Sequence, residues 1–224
     1  MDLFRRLVFA ALCAGLLAGL FAAIAHHFGT VPVILEAEGY EQPTAAMHQH
    51  QSAWEPENGA ERTAYTILAD VLTGIGFALL LGAGLALRGG EAGWRRGLLW
   101  GLAGFISFTI APGLGLPPQL PGGEAAPLLE RQLWWLGTAA ATGGALALIA
   151  FTTQARWAIL AAILIVLPHL YGAPEPSEHA AAAPAALAHH FIVAATVVNF
   201  LFWTILGAST GYFQARLTPR YSPR

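Results

Sequence analysis

Six apolar runs, separated by polar or glycine- and proline-rich connections, dominate this chain of 224 residues. Crossing the hydrocarbon core of a bilayer as a helix takes about 20 apolar residues. We predict transmembrane helices at Leu7–Ala25, Tyr65–Leu87, Trp94–Ala111, Leu133–Phe151, Trp157–Tyr171 and Phe191–Phe213. The fifth run is short and could instead form a hairpin with the fourth, so a bundle of five spans is the alternative. The sequence therefore predicts an all-α, polytopic membrane bundle that forms a single integral membrane domain over residues 1–224.

Composition supports the membrane assignment and argues against several classes of function. Charged residues make up 11% of the chain and hydrophobic residues 56%, whereas a soluble domain carries about 25% charge. The apolar residues come in blocks instead of alternating, which favours helices over a membrane barrel. A net charge of −2 argues against a nucleic-acid-binding surface. All 11 basic residues are Arg, which excludes the P-loop motif GxxxxGK[ST] for ATP in this chain.

The arginines predict the orientation of the bundle. Nine of the 11 lie before the first span, between spans 2 and 3, between spans 4 and 5, or after span 6. Positive charge marks the cytoplasmic connections of a membrane protein, so we predict that both termini are cytoplasmic and that the chain is a multi-pass protein of the cell inner membrane. The remaining connections hold only Arg62 and Arg131, together with ten of the 13 acidic residues.

The first apolar run also resembles a signal peptide, because Arg5 and Arg6 precede it and Ala23-Ile24-Ala25 has the form of a cleavage site. A signal peptide has an apolar region of about 7–15 residues, which is shorter than this run. We therefore interpret the run as a retained helix, with cleavage as the alternative.

The histidines suggest a site for a metal ion. All eight lie on or beside two outer connections, 26–64 and 168–190. Imidazole is a good ligand for Co, Ni, Zn and Cu ions, and carboxylates complete the coordination shell. In an extended chain, His48 and His50 point to the same side, whereas adjacent histidines on a helix diverge by about 100°. We predict metal ligands at His48, His50, His169, His179, His189 and His190, and we interpret Pro168 as the end of span 5. The alternative for the H-x-H stretch is a solvated loop.

Asp70 is the second kind of candidate, because it lies about one turn inside the second predicted span. An ionisable group within a span is costly and is by default a functional candidate. The alternative is a side chain that reaches out to the headgroups. Nothing resembles a nucleophile elbow, a pair of catalytic carboxylates or an H-E-x-x-H motif, so we predict no enzymatic activity.

Three further features concern the connections and the packing. Residues 30–41 have Pro32 where the first turn of a helix accepts proline, and their apolar residues fall on one helix face. This pattern predicts a short interfacial helix.

Residues 112–123 contain four prolines and four glycines, which predicts irregular backbone. G-x-x-x-G spacing allows helix backbones to approach closely. It occurs at Gly15–Gly19, at Gly93–Gly97–Gly101 and at Gly207–Gly211.

Several of these segments together resemble the CbtA family of predicted cobalt transporter subunits. They are Pro32-Val-Ile-Leu-Glu-Ala-Glu-Gly-Tyr-Glu, His48-Gln-His followed by Trp54-Glu-Pro-Glu, Pro112-Gly-Leu-Gly-Leu-Pro-Pro-Gln-Leu-Pro-Gly, Arg131-Gln-Leu-Trp-Trp and Pro168-His-Leu-Tyr-Gly-Ala-Pro. Gln119 stands where the resemblance leads us to expect Glu. The resemblance implies a multi-spanning protein for cobalt uptake linked to cobalamin synthesis. It also implies a small partner, CbtB-like, with one span and a histidine-bearing end.

We therefore expect a membrane transport subunit that collects a divalent transition metal on its outer face. Co(II) is the first choice as transported ion, and Ni(II) and Zn(II) are alternatives; we expect no permanently bound cofactor. One rival is a substrate-binding subunit energised by a separate ATPase, as in energy-coupling-factor systems. The other is a metal-binding membrane enzyme or scaffold. Expected partners are the lipid bilayer and the small subunit, but no nucleic acid, and a homo-oligomer is left open.

The predicted orientation can be tested by labelling introduced cysteines in whole cells. A cysteine at residue 58 or 180 should react with an impermeant thiol reagent, because both positions lie on outer connections. A cysteine at residue 92, in the Arg-rich connection between spans 2 and 3, should stay unlabelled. Labelling at residue 92 would contradict the six-span arrangement with both termini inside.

Overall fold

The structure is a computed structural model that describes residues 3–40, 56–57, 59–122, 125–176 and 183–217. Within these ranges every regular element is helical, which confirms the predicted all-α class. A π-helical segment, Ile106–Ile110, joins two of the helices. The helices are α1 (Leu3–Gly29), α2 (Val31–Glu38), α3 (Ala60–Arg88), α4 (Trp94–Phe105), α5 (Ala111–Gly113), α6 (Leu128–Phe151), α7 (Ala155–Tyr171) and α8 (Ala185–Leu217).

Each of the six predicted spans coincides with helix. By length and composition, α1, α3, α6 and α8 could cross a membrane. The shorter α7 has 17 residues and is apolar apart from Arg156 and His169. The third predicted span is α4, the π segment and α5 in direct succession over 94–113. Whether five or six of these segments cross the bilayer stays a prediction.

Along α1, small side chains face the protein and large apolar side chains face outward, as expected for a helix in lipid. Its buried residues are all alanine or glycine. Its large apolar side chains point outward, and Phe9, Leu16 and Ile24 are about half exposed. In lipid, helices gain little from burying large apolar groups, and small residues let their backbones pack closely. This distribution supports a helical membrane bundle.

The helices belong to two compact units, each assembled from separate stretches of the chain. The first consists of Met1–Ile24, Gly59–Phe105 and Asn199–Arg224. Within it, the three predicted G-x-x-x-G sites are confirmed as close contacts. Gly15 lies against the backbone of Gly74 on α3, and Gly97 and Gly101 on α4 lie against Gly207 and Gly211 on α8. An added Cβ at any of these positions would overlap a neighbouring backbone.

The second unit consists of Ala25–Asn58 and Ile106–Val198. Here α6 and α7 form a helical hairpin with a three-residue connection, 152–154. The predicted helix at 30–41 is confirmed as α2, with Pro32 in its first turn. Val33 and Ala37 on its apolar face are buried against Leu187 of α8, so protein covers this part of the face instead of lipid.

Several element boundaries differ from expectation. Pro168 does not end the fifth helix, because α7 continues to Tyr171. A proline near the last turn forfeits only its own N–H bond, and Gly172, at φ +90°, donates to the Pro168 carbonyl at 3.2 Å and ends the helix. The irregular segment begins at Leu114, since Pro112 occupies the first turn of α5. Helices α3 and α8 also begin several residues earlier than the apolar runs, at Ala60 and Ala185.

The glycine contacts predict which substitutions the bundle tolerates. Gly207→Ala should destabilise the chain by about 1–3 kcal/mol, because its Cβ would overlap the backbone of α4. Gly76→Ala is the matched control, since nothing lies within 4 Å of a Cβ there. The thermal midpoint of the detergent-solubilised chain should fall in Gly207→Ala only. Equal midpoints would show that the α4–α8 contact is looser than described.

Candidate functional site

Five of the eight histidines lie within the described residues, and all five belong to the second unit. His26 and His27 are in the last turn of α1, His169 is in the last turn of α7, and His189 and His190 lie near the start of α8. The predicted ligands His48, His50 and His179 lie outside the described residues. The predicted loop at 168–190 is therefore partly helical, and three of its histidines sit on helix ends.

His26 connects α1 to α2 through Thr30. Its Nδ1 lies 2.9 Å from the buried Thr30 hydroxyl, which also approaches the His26 carbonyl at 3.3 Å. With Nδ1 engaged, only Nε2 of this ring is left to bind a metal. His27 is exposed and packs edge-on against Phe28, with ring centroids 5.0 Å apart.

His169 is the predicted ligand with the most structured surroundings. Its ring packs edge-on against Trp134 of α6, with centroids 6.0 Å apart and an interplanar angle of 71°. Trp134 is 8% exposed, and its Nε1 donates to the Pro168 carbonyl at 3.3 Å. The indole ring also lies against Gly115 of the irregular segment. We call Trp134, His169, Pro168 and Gly115 the Trp134 junction.

The Trp134 junction borders a groove of about 1050 Å³ between α6 and α7. Its walls are mainly apolar. Three side chains in its lining, Glu130, Thr138 and Tyr171, carry oxygen atoms that can hydrogen-bond or bind a cation. The groove therefore has one carboxylate and two hydroxyl-bearing side chains in a mainly apolar lining, close to the helix end that carries His169.

His189 and His190 are exposed on α8, two and three residues after Leu187, which packs on α2. Because neighbouring residues on a helix diverge by about 100°, the two rings cannot share one ion. Within the described ranges, no group of three or more His, Cys, Asp or Glu side chains is close enough to hold a metal ion. The described part of the chain thus brings none of the predicted histidines into a complete coordination shell.

Asp70 belongs to the first unit and lies on α3, where its backbone faces Gly19 of α1. Because α3 begins at Ala60, Asp70 is ten residues, or about 15 Å, from the helix start. Its depth of about one turn inside the predicted span, which starts at Tyr65, stays a prediction. The side chain is half-buried, and its Oδ2 is screened from solvent. Among the four long helices, only Asp70 is a carboxylate beyond the first turn.

A second groove, of about 750 Å³, lies between the irregular segment and the other side of α6. Arg131 donates to Gln119 Oε1 at 3.2 Å, which ties this segment to the helix. The role of Trp134 was not predicted. The segment Arg131-Gln-Leu-Trp-Trp contains this residue and carries part of the family resemblance, but its pattern does not indicate the contacts with Pro168 and Gly115.

Comparison with known proteins identifies the family. The sequence model of the family described as probable cobalt transporter subunit (CbtA) matches residues 4–215, nearly the whole chain. The chain therefore belongs to this family, and the resemblance seen in its sequence is confirmed. No curated protein and no solved structure matches significantly. Family membership and the apolar helices together identify a multi-pass membrane protein that is a subunit of a transporter.

The Trp134 junction predicts an effect at Gly115. In Gly115→Val, the new side chain would overlap the Trp134 ring and approach Ala173, so we expect a loss of about 1–3 kcal/mol of stability. In the control Gly113→Val, two residues away, nothing lies within 4 Å of the Cβ. SDS-induced unfolding in mixed micelles should show a lower midpoint for Gly115→Val alone. A midpoint equal to that of the control would mean that the ring does not rest on Gly115.

Proposed function

We propose that this member of the CbtA family is the membrane subunit of an uptake system for a divalent transition metal, with Co(II) as the first choice. We further propose that uptake supplies cobalamin synthesis and that the protein lies in the cell inner membrane. The family match over residues 4–215 carries the proposal. We assign the chain no catalytic role.

The positions of the donor groups support a model in which some residues capture the metal ion at the outer face and others act in its passage through the bundle. The described histidines lie on helix ends of the second unit, and His27, His189 and His190 are exposed there. Imidazole binds Co(II), Ni(II) and Zn(II), so the ligand type alone does not select among them. In this proposal His169, His189 and His190 act in collection, and His48, His50 and His179 add donors from the outer connections.

A partner is part of the proposal. The family description calls the protein a subunit, and the described residues bring no three His, Cys, Asp or Glu side chains together. We propose that a small single-span subunit with a histidine-bearing, CbtB-like end supplies further imidazoles at the outer face.

Cells expressing the chain with this partner should accumulate radiolabelled cobalt, and cells expressing the chain alone should accumulate less.

Asp70 should matter more to uptake than any single histidine. Losing one histidine leaves other collectors, whereas a divalent ion that leaves water for the bundle needs compensating charge where hydration ends. Asp70→Asn keeps the shape of the side chain and removes its charge. We expect near-complete loss of cobalt uptake in Asp70→Asn, and only a partial loss in His48→Ala or His189→Ala.

Membrane abundance, measured by quantitative immunoblotting, is the control for this comparison. All three variants should reach the level of the wild-type chain. If Asp70→Asn takes up cobalt at the wild-type rate, the carboxylate only reaches toward the headgroups and lies off the ion path.

A further inference from the structure

Arg131 is one of two arginines on the predicted outer connections, and its surroundings leave its charge uncompensated. Gln119 accepts one hydrogen bond from its Nη1 at 3.2 Å, but an amide carries no charge. The Nε atom of Arg131 is screened from solvent and has no hydrogen-bond partner. Among the described residues, Arg131 forms no ion pair. Because a guanidinium has five N–H donors and does not deprotonate in proteins, Arg131 keeps donors and a full positive charge for an anion.

The side chain of Arg131 lines the second groove, of about 750 Å³, which we call the Arg131 groove. Its polar lining consists of Arg131, Gln119 and Gln132. The rest of the lining is apolar, and Leu128 and Leu136 in it are more than half exposed. The groove therefore combines one cation and two amides, which can bind the oxygen atoms of an anion, with a surface that suits a hydrocarbon chain.

Both walls of the Arg131 groove are held by contacts within the second unit. On the α6 wall, the ring of Trp135 packs against Phe108 of the π segment, with centroids 5.9 Å apart. On the wall formed by the irregular segment, Leu120 packs against the buried contact between α2 and α8. Gly115 of the same segment lies against Trp134. Because these contacts form the groove before any ligand binds, less conformational entropy is lost on binding.

The position of Arg131 along α6 corresponds to the level of lipid headgroups. Helix α6 begins at Leu128, and the predicted span begins at Leu133, two residues after Arg131. Arginines near the ends of a span place their charge at the membrane interface, where tryptophan is also enriched. Leu136 lies about 8 Å further along the helix axis than Arg131, toward the apolar region. The polar and apolar parts of the groove are thus arranged in the same order as the headgroup and acyl chain of a lipid.

We propose that the Arg131 groove binds a lipid with an anionic phosphodiester headgroup. Arg131 donates to the phosphate oxygen atoms, the amides of Gln119 and Gln132 donate further hydrogen bonds, and an acyl chain lies on the leucines. Guanidinium suits phosphate because its planar donors can bind two oxygen atoms at once. A free phosphate ion would leave the apolar lining uncovered, and an acyl chain alone would leave the charge of Arg131 uncompensated. This site does not depend on the proposed transport.

Lipid titration of the full-length chain tests the site. The delipidated protein in detergent micelles is titrated with dioleoyl-phosphatidylglycerol, and bound lipid is counted by native mass spectrometry. Dioleoyl-phosphatidylcholine has the same acyl chains and a zwitterionic headgroup, so it should bind at least about tenfold more weakly, which is the scale of one charge-assisted hydrogen bond. Phosphatidylglycerol should raise the thermal midpoint, and inorganic phosphate at the same concentration should not. Equal affinity for the two lipids, or equal protection by inorganic phosphate, would overturn the proposal.

Two variants remove the positive charge in different ways. Arg131→Gln deletes it, and Gln119→Glu keeps the side-chain shape and places a neutralising carboxylate beside the guanidinium. Each should weaken phosphatidylglycerol binding by at least about tenfold. Gln119→Glu separates binding from folding, because a new ion pair should not lower the midpoint of the lipid-free chain.

Arg156→Gln is the matched control for these variants. Arg156 also lies in the first turn of a helix of the second unit, next to Trp157, but it is exposed and does not line the Arg131 groove. Its substitution should leave the affinity for phosphatidylglycerol within about twofold of wild type. Wild-type affinity in Gln119→Glu, or a loss in Arg156→Gln as large as that in Arg131→Gln, would overturn the proposal.

Discussion

Close approach of helix backbones at glycine is the interaction on which the rest of the first unit depends. In lipid, burying a leucine between two helices gains little, because the acyl chains offer the same apolar surroundings. The helices are held where backbone can meet backbone, as Gly97 and Gly101 meet Gly207 and Gly211, and as Gly15 meets Gly74. The glycines at these contacts are consequently close to backbone, and many large apolar residues lie outside, although Trp203 and Leu206 are buried as well.

The sequence predicted the helices well and their ends poorly, for a physical reason. Apolar runs and G-x-x-x-G spacing are direct consequences of the lipid environment, so they are readable in one chain. Where a helix continues beyond its apolar run, hydropathy no longer indicates at which residue the helix begins or ends. Helix α3 begins at Ala60, within a polar stretch, and α8 begins at Ala185, within an alanine-rich one. How far such ends extend depends on backbone propensity and on tertiary contacts, such as that of Leu187 with α2.

Prediction of the candidate site from the sequence was limited in a different way. The chemistry of histidine indicated possible metal ligands, but the sequence did not indicate which residues surround each ring. His169 meets Trp134 because α6 and α7 fold back on each other, and Gly115 meets the same ring from an irregular segment. These contacts join residues far apart in sequence, and periodicity within one helix does not encode them. Thr138 and Thr142 are buried on α6 with hydroxyls that have no hydrogen-bond partner. The sequence did not indicate this, because a threonine in an apolar run ordinarily satisfies its hydroxyl within the helix.

The placement of the donors separates capture from conduction in the proposed transport. A ligand set rich in imidazole at mid-membrane depth would bind a transition metal tightly, and slow release would limit the flux. In the described residues the histidines lie on helix ends, and among the four long helices only Asp70 is a carboxylate beyond a first turn, which avoids this conflict. Specificity for the metal would then be exercised before entry, by the imidazoles of this chain and of its partner. Inside the bundle, Asp70 would supply compensating charge where hydration ends, and a single carboxylate would hold the ion weakly enough for release.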